Sequence, residues 1–470
     1  MSWLKKNQDT GFKITAIILT GAAALFVFFC TLGMDTRFAP DEMMRYEIGE
    51  FIYNNNHLPW GDEPELITPW GFNYSFSPYF PTLIGVLFMK LAGLFSDNWL
   101  VLLSAFRQVS TLAVAGTGVY AYLIAKRVFT RYGSRTLFIC LSLFLPQFLY
   151  LGSYFNNDIF SCFLGFGFTY CWICGIKDGW NWKNCIHLGI LCGLMSITYY
   201  FGYAWILGSL IVFLVSAWKQ KENPSWFWKR TGTIFLIAFA IGGWFFIKNA
   251  VFEPWDFLGL KATMIYQERF GQDLNLFEPF AQGYSLMDML FKPVNLNGND
   301  MVWMKSFIVS YIGMFASMSI RMSVKYYIFY LGLLGFGSLI GLVLSVQKFR
   351  QNRDQRPLLI GLGIALILPF FLSIFNSYFN DYQAQGRYMI ANLCPLMLLC
   401  ASGYNFLSRL FSEFQQRIYK RLTHKTLRIT LSLSLVIGLF FVYKGVQLYY
   451  NYNSGILFEN VEKVAENLQR

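Results

Sequence analysis

The feature that most constrains this chain is a series of apolar runs, each of roughly the 15 to 25 residues that about 30 Å of hydrocarbon requires of a helix. Of 470 residues, 55% are hydrophobic and 14% are charged, whereas soluble domains usually carry about a quarter charged residues. This composition excludes disorder and most soluble folds. The chain is therefore predicted to be an all-α polytopic membrane protein.

The apolar runs predict about eleven transmembrane helices, within a range of about 10 to 13. We expect them near residues 14–34, 101–125, 136–152, 158–176, 185–200, 201–217, 231–248, 326–346, 357–376, 388–407 and 428–449. One further run, 79–95, is assigned to a juxtamembrane or re-entrant helix. Counting it as a crossing would place the basic segment 126–135 outside the cell and invert everything after it.

Charge is distributed unevenly over the predicted loops. The net charge is +12, from 38 Lys and Arg against 26 Asp and Glu. The segments predicted to be cytoplasmic hold 23 basic and five acidic residues: 1–13, 126–135, 177–184, 218–230, 347–356 and 408–428. This bias predicts a cytoplasmic N-terminus, and it explains the positive charge without a nucleic-acid partner.

The expected organisation is a single transmembrane domain over 1–470 with two long extracytoplasmic loops, 35–100 and 249–325. Loops of this length are usually functional when they are ordered. Spacing of apolar residues in the first loop predicts an amphipathic surface helix over 41–54, with Glu47 and Glu50 facing water. In the second loop we expect an interfacial helix at 306–320.

Three acidic residues are the candidate catalytic groups. Asp41 and Glu42 follow the first span closely, where a base can meet one substrate from lipid and another from water. Asp158 opens a later span on the same face, and ionisable groups at such depth are functional candidates. The alternatives are an acidic first helical turn for the first two residues and, at Asp158, a helix N-cap by Asn or Asp.

Several cationic and polar residues on that face are candidates for substrate binding. Arg387 opens a span, and a guanidinium there can bind a lipid phosphate through two hydrogen bonds; the alternative is an interfacial arginine that only reaches the membrane surface. The other candidates are Gln385, Tyr388, Arg107, Lys248, Arg269 and His57. The histidine spacing fits no metal site, so no metal ligands are assigned.

The order of these motifs is more specific than any one of them. It runs from Pro40-Asp41-Glu42 through Ser77-Pro78-Tyr79-Phe80-Pro81, Phe106-Arg107, Ala125-Lys126-Arg127-Val128-Phe129 and Asn157-Asp158 to Gln385-Gly386-Arg387-Tyr388. This order of motifs resembles that of the GT-C superfamily of integral-membrane glycosyltransferases. The resemblance is to a bacterial branch related to protein O-mannosyltransferases and to the lipid A aminoarabinose transferase. It covers residues 1–200 and 375–410.

The resemblance implies a GT-C-like architecture and transfer of a sugar from a polyprenyl-phosphate donor to an acceptor on the outer face. Asp41 would be the catalytic acidic residue of the first loop, Glu42 its neighbour, Asp158 the second carboxylate and Arg107 the arginine of mannosyltransferases. Many relatives have a histidine soon after the acidic pair, where this chain has Arg45 and Tyr46. A divalent cation is possible, although the missing Asp-x-Asp favours a site without metal.

The family likeness also implies a setting. We expect a bacterial plasma membrane, with a cell-envelope polysaccharide, a lipid or another acceptor. A single base on the side opposite the leaving group separately predicts direct inversion at the sugar C1. The other classes considered are a ligase or polymerase that uses a polyprenyl-linked donor, a transporter of lipid-linked glycans, and a non-catalytic partner of another enzyme. His57 and Arg269 keep the ligase alternative open.

Overall fold

The computed structural model describes residues 2–271, 277–296, 299–316 and 318–418. The predicted span at 428–449 lies outside these residues. In the described part of the chain the α-helices, numbered in order, are α1 Ser2–Gly33, α2 Glu42–Asn55, α3 Phe80–Ala92, α4 Trp99–Phe106, α5 Gln108–Val128, α6 Tyr132–Leu143, α7 Pro146–Gly152, α8 Asn157–Asp178, α9 Trp182–Ser196, α10 Tyr203–Gln220, α11 Pro224–Phe252, α12 Leu260–Phe270, α13 Leu286–Phe291, α14 Trp303–Gly313, α15 Val324–Gln351, α16 Arg356–Phe379 and α17 Leu393–Ile418.

Short strands and 3-10 turns complete the described structure. Strand β1, Val294–Leu296, pairs antiparallel with β2, Asn299–Met301. Strand β3, Met314–Phe315, pairs antiparallel with β4, Ile320–Arg321. The 3-10 segments are Thr36–Phe38, Pro64–Leu66, Tyr74–Phe76, Tyr200–Gly202 and Gly386–Asn392.

Eight helices in the described residues are long and apolar enough to cross a membrane: Asp9–Gly33, Trp99–Val128, Asn157–Asp178, Tyr200–Gln220, Pro224–Phe252, Val324–Gln351, Arg356–Phe379 and Gly386–Glu413. The pair α6 and α7 would make a ninth span, bent by 53°. The expected count of eleven is therefore not confirmed.

The differences from the expected spans have local causes. The predicted span 136–152 is broken because Pro146 begins a new helix, α7, and proline cannot continue the backbone ladder of a helix. The predicted span 185–200 becomes α9, whose 15 residues reach only about 22 Å at about 1.5 Å per residue. Helix α3, with 13 residues, is likewise too short to cross about 30 Å of hydrocarbon.

Helix α8 lies at the centre of the bundle. It packs against α5, α9, α10, α17 and the 3-10 segment 386–392. It has no polar face, as expected of a helix surrounded by protein. Outside this centre, α15 and α17 pack against each other. Their backbones are so close that a side chain at Gly341 would collide with the Leu399 carbonyl group. Small residues spaced four apart, here Gly337 and Gly341, allow such close approach in membranes.

The bundle has a basic end and an opposite end. Side-chain contacts join the basic segments to one another, as in the ion pairs Arg127–Asp178 and Arg135–Asp9. At the other end, contacts join the two long loops, since the Asn249 side-chain amide donates to the Phe76 carbonyl at 3.1 Å. Assigning these ends to the two sides of a membrane rests on the charge bias alone.

The two long loops are folded. Helix α2 begins one residue later than expected and ends at Asn55, with Ile48, Phe51 and Ile52 buried; Glu47 and Glu50 are half-buried instead of facing water. In the second loop the helix expected at 306–320 begins at Trp303 and ends at Gly313. The chain then forms the β3–β4 hairpin, so the helical prediction was wrong for 314–316 and 318–320.

Candidate active site

Asp41 lies at the start of α2 in an uncommon backbone conformation. Its φ is 62° and its ψ is 0°, in the left-handed region, and its side chain does not cap the helix. Such a conformation costs an L-residue roughly 1–2 kcal/mol, although Asp tolerates it better than most. Because the carboxylate is not used for capping, it is free to face the residues beyond the helix. Strained backbone of this kind is often found at functional sites.

Arg387 is the residue that the Asp41 carboxylate meets. Its Nη2 donates to Asp41 Oδ2 at 2.9 Å, and its side chain is 12% exposed. Its Nε is buried and has no hydrogen-bond partner in the described structure. The Nε–H of this guanidinium is therefore unused, while its Nη2 is bound to the Asp41 carboxylate.

Gly386 fixes the position of Arg387. A Cβ at this residue would collide with the Phe307 carbonyl oxygen and the Tyr311 backbone nitrogen of α14. The Gly386 N–H also donates to Ser310 Oγ at 2.7 Å. The close backbone approach that this glycine allows is therefore to α14.

We expect Gly386→Ala to push residues 386–388 away from α14 and to cost about 1–3 kcal/mol of stability, as overpacking does. Thermal unfolding in detergent measures this loss. The control is Gly363→Ala, because that position has nothing within 4 Å of a new Cβ. Equal effects from both substitutions would contradict the proposed packing.

Asp158 completes the group from a third direction. It lies in the first turn of α8, 4% exposed, where Asn156 caps the helix by accepting from the Asp158 N–H. Its Oδ1 has no hydrogen-bond partner in the described structure. The charged groups near enough to act on it are Arg387, Arg45 and Asp41, with the Tyr199 hydroxyl beside it. Asp158 is therefore not the N-cap itself.

Arg45 and several tyrosines surround these three residues. Arg45 is one helical turn after Asp41, and its guanidinium lies 4.7 Å from the centre of the Tyr74 ring. Burial raises the pKa of Tyr74 to about 12, so its hydroxyl stays protonated and neutral near pH 7. Burial raises the pKa of Tyr199 as well. The site thus presents two guanidinium groups, two carboxylates and neutral hydroxyl groups.

A cavity of about 210 Å³ opens beside Asp41 and Arg387. Its other walls are α7, α14, the β3–β4 turn and Gln385, which contribute Gln147, Tyr150, Ser310, Met314, Ala316 and Met318. Ala316 and Met318 have positive φ angles of 54° and 61°. Strained backbone therefore lies on two sides of the cavity.

Glu42 and Arg107 lie apart from this cavity, in a closed buried pair. Two hydrogen bonds join their side chains, at 2.9 and 2.5 Å, and the side chains are 0% and 3% exposed. Arg107 Nη1 also donates to the Thr31 and Met34 carbonyls at the end of α1, and Glu42 Oε1 accepts from the Phe155 N–H at 2.6 Å. Each charge is satisfied by protein, so the pair holds α1, α2, α5 and the start of α8 together.

The remaining predicted binding residues lie in different places. Tyr388 stacks on Phe201 with ring centres 5.0 Å apart. Lys248 is 8% exposed, and its Nζ donates to the Ser75 carbonyl at 2.7 Å. His57 and Arg269 are exposed: His57 follows the far end of α2, about 20 Å along the helix from Asp41, and Arg269 contacts Phe270 on α12.

Sequence analysis missed two functional candidates for which signals existed. Arg45 is four residues after Asp41, a spacing that puts both on one face of a helix. Gln147 directly follows the Pro146 break, and broken membrane helices often border binding sites.

For metal binding, the described residues hold no group of three or more His, Cys, Asp or Glu able to ligate an ion. The carboxylates of Asp41 and Asp158 lie near the guanidinium of Arg387.

Comparisons with known proteins bear on the fold of the chain. The chain has a GT-C-like fold, as its structural neighbours show. Residues 78–244 match the family model of the dolichyl-phosphate-mannose-protein mannosyltransferases. Comparison with curated proteins gives no match.

Two proteins among the solved structures that resemble the chain illustrate the likeness. One is ArnT from Cupriavidus metallidurans bound to undecaprenyl phosphate, with 14% identity and a TM-score of 0.52 over 96% of this chain and 75% of that one. The other is the Archaeoglobus fulgidus oligosaccharyltransferase, with 16% identity and a TM-score of 0.52. A further structure of this oligosaccharyltransferase, named AglB and in complex with an inhibitory peptide and a dolichol-phosphate, has 15% identity and a TM-score of 0.52. This chain covers 55% of the oligosaccharyltransferase length.

Proposed function

We propose that the protein transfers a sugar from a polyprenyl-phosphate donor to a hydroxyl group of a cell-envelope polysaccharide, a lipid or another acceptor. The observation that carries this proposal is the Asp41–Arg387 pair, which borders a cavity at the end of the bundle opposite the basic segments. The charge bias supports placing this end outside a bacterial plasma membrane. The structures of similar fold that contain undecaprenyl phosphate or dolichol-phosphate support the class of donor.

The proposed reaction is a single displacement at the sugar C1. Asp41 accepts the proton of the acceptor hydroxyl while the acceptor oxygen forms a bond to C1. The bond between C1 and the phosphate oxygen breaks, and its electron pair leaves with the polyprenyl phosphate. General-base assistance of this kind is typically worth about 10²- to 10⁴-fold. One displacement inverts the configuration at C1.

Arg387 is proposed to bind the departing phosphate. Its buried Nε is a ready donor, and a fixed cation stabilises the negative charge that develops as the bond breaks. Arg45 supplies a second positive charge nearby, since both arginines lie close enough to interact electrostatically with the Asp158 carboxylate. Asp158 would then balance these two cations when no donor is bound. A divalent cation is not required by this scheme.

Glu42 and Arg107 take a positioning role in this proposal. Their hydrogen bonds are all made within the protein, so neither side chain is free to contact substrate. The pair fixes the start of α2 and therefore the direction of Asp41. This assignment replaces the catalytic role expected for Glu42 and the substrate-binding role expected for Arg107.

The test uses purified full-length protein in detergent with a panel of undecaprenyl-phosphate sugars, and it measures release of undecaprenyl phosphate. We expect the wild type to consume one donor and Arg387→Ala to lower the rate by about 10²- to 10³-fold, the usual cost of losing such a group. The matched control is Arg37→Ala, because Arg37 forms an exposed ion pair with Asp35 in the loop that precedes Asp41. Movement of intact lipid across vesicles without release would favour a transporter instead.

A polymer ligase receives less support from the geometry. The residues that favoured it were His57 and Arg269, and neither lines the cavity among the described residues.

A further inference from the structure

We propose that the groove between α15 and α16 binds one anionic phospholipid, taken from the leaflet at the basic end of the bundle. The groove has a volume of about 540 Å³ and is bordered by residues of the basic segments. It therefore lies at the end opposite the Asp41–Arg387 pair and is no part of the proposed active site. The inference goes beyond the proposed function and does not depend on it.

The groove exists because two consecutive helices pack on different neighbours. Helix α15 ends at Gln351 and α16 begins at Arg356, so only a short turn separates them. Helices joined by so short a connection usually pack side by side. Here α15 packs mainly on α17, and α16 packs mainly on α10. Helices α8 and α17 close the back of the gap, with Ile173 and Leu398 among their residues there.

The interior of the groove suits an acyl chain. Its two sides are apolar, with Leu342 and Val346 from α15 and Leu362 and Leu366 from α16. Leu366 is ten residues after the start of α16 at Arg356, about 15 Å at about 1.5 Å per residue. This is half of the roughly 30 Å of hydrocarbon in a bilayer, so the groove runs through one leaflet. A lipid chain fills it, because side chains that line an empty gap lose packing contacts.

The mouth of the groove selects an anionic headgroup. Lys177 and Lys348 border it from the last turns of α8 and α15, where spanning helices reach the headgroups. The acidic residue on the described walls is Asp354, and its ion pair with Lys219, at 3.8 Å, offsets its charge. Lys177 donates to the Arg127 carbonyl at 2.8 Å, and an ammonium group has two further donors. Basic pockets between spanning helices on the cytoplasmic side bind anionic lipid headgroups in this way.

The experiment measures phospholipid binding to the purified full-length protein in mild detergent. Dioleoyl-phosphatidylglycerol is the anionic probe, and dioleoyl-phosphatidylcholine, with the same chains and no net charge, is the comparison. Native mass spectrometry counts the bound lipid, and thermal unfolding measures its stabilising effect. Each lysine near the headgroups favours an anionic lipid by about fivefold. We therefore expect phosphatidylglycerol to bind about 25-fold more tightly and to raise the unfolding temperature more.

The variant Lys348→Gln tests the charge at the mouth. It keeps a long polar side chain and removes one positive charge, so we expect the preference for phosphatidylglycerol to fall by about fivefold. The matched control is Lys183→Gln, because Lys183 is exposed at the same end of the bundle and does not line the groove. This control is expected to keep the wild-type preference.

The variant Gly363→Leu tests the groove itself. Gly363 lines the groove and has nothing within 4 Å of a new Cβ, so a larger side chain takes up space meant for lipid without colliding with backbone. We expect a folded protein that loses the tightly bound phosphatidylglycerol and the rise in unfolding temperature. The matched control is Gly335→Leu, which is equally open at Cβ on α15 but lies outside the groove.

Several results would overturn this inference. They are equal affinity for the two lipids, an unchanged preference in Lys348→Gln, and a Gly363→Leu protein that phosphatidylglycerol still stabilises. A structure in a lipid nanodisc that shows residues of the chain, such as 428–449, in place of lipid would overturn it too. None of these results bears on sugar transfer. Conversely, a protein that binds phosphatidylglycerol in the groove but releases no undecaprenyl phosphate would support this inference while the proposed function fails.

Discussion

Replacing Asp41 with asparagine is expected to leave a folded protein whose rate of sugar transfer falls by about 10³-fold, within the range typical of a lost general base. Asparagine is the suitable replacement because it also tolerates the left-handed backbone found at this residue. Its side-chain oxygen can still accept from Arg387. The substitution therefore removes the base and little else. Initial rates of undecaprenyl phosphate release, together with the unfolding temperature, measure the two effects separately.

The control for Asp41→Asn is Asp35→Asn. Asp35 also pairs with an arginine, Arg37, at 2.6 Å, and it precedes the same helix. We expect Asp35→Asn to keep nearly the wild-type rate. A slow Asp35→Asn, or an Asp41→Asn that transfers sugar as fast as the wild type, would remove Asp41 from the mechanism.

Breaking the buried Glu42–Arg107 pair is expected to have the largest effect on stability. Removing one partner leaves an uncompensated buried charge, which typically costs about 3–5 kcal/mol. Arg107→Met would also withdraw two hydrogen bonds from the carbonyl groups that end α1. We expect Arg107→Met and Glu42→Leu each to lower the yield of folded protein and its unfolding temperature sharply. Fluorescence-detected unfolding in detergent measures both.

The double variant Glu42→Gln/Arg107→Gln tests whether the cost comes from the isolated charge. It removes both charges and keeps polar groups for the Phe155 N–H and the α1 carbonyls. We expect it to be more stable than either single variant, because no unpaired charge remains. Single variants that stay as stable as the wild type but lose activity would show instead that Glu42 or Arg107 acts on the substrate.

Much of the bundle could be predicted from hydropathy, because a helix that crosses lipid must be apolar over its length. The helix 41–54 was also predictable from the spacing of Ile48, Phe51 and Ile52. The α6–α7 break and the short α9 were not found by run length, because apolar runs do not record where the backbone bends. Pro146 was the available signal for the break.

The site was predictable as a set of residues on one face, but their pairing was not. Asp41 and Glu42 are adjacent in sequence, and the sequence treats them as equivalent. The left-handed conformation of Asp41 sends its side chain to Arg387, while Glu42, in the first helical turn, turns inward to Arg107. Which of two neighbouring carboxylates is buried depends on contacts more than sixty residues away.

The walls of the cavity come in part from a region that the family resemblance does not cover. Helix α14 and the β3–β4 turn come from the second long loop. Their contacts with Gly386 and Gln147 join segments that are distant in sequence. Neither composition nor periodicity specifies such long-range contacts, so only the folded chain defines the size and the charge of the cavity.

The most direct test of the central claim is a structure of the protein, determined with undecaprenyl phosphate in a lipid nanodisc. The proposed site predicts the phosphate at the guanidinium of Arg387, within the roughly 2.7–3.2 Å of a hydrogen bond, on the side of the cavity that Asp41 borders. Undecaprenyl phosphate bound at the basic end of the bundle, or away from Arg387 at the site end, would contradict the account.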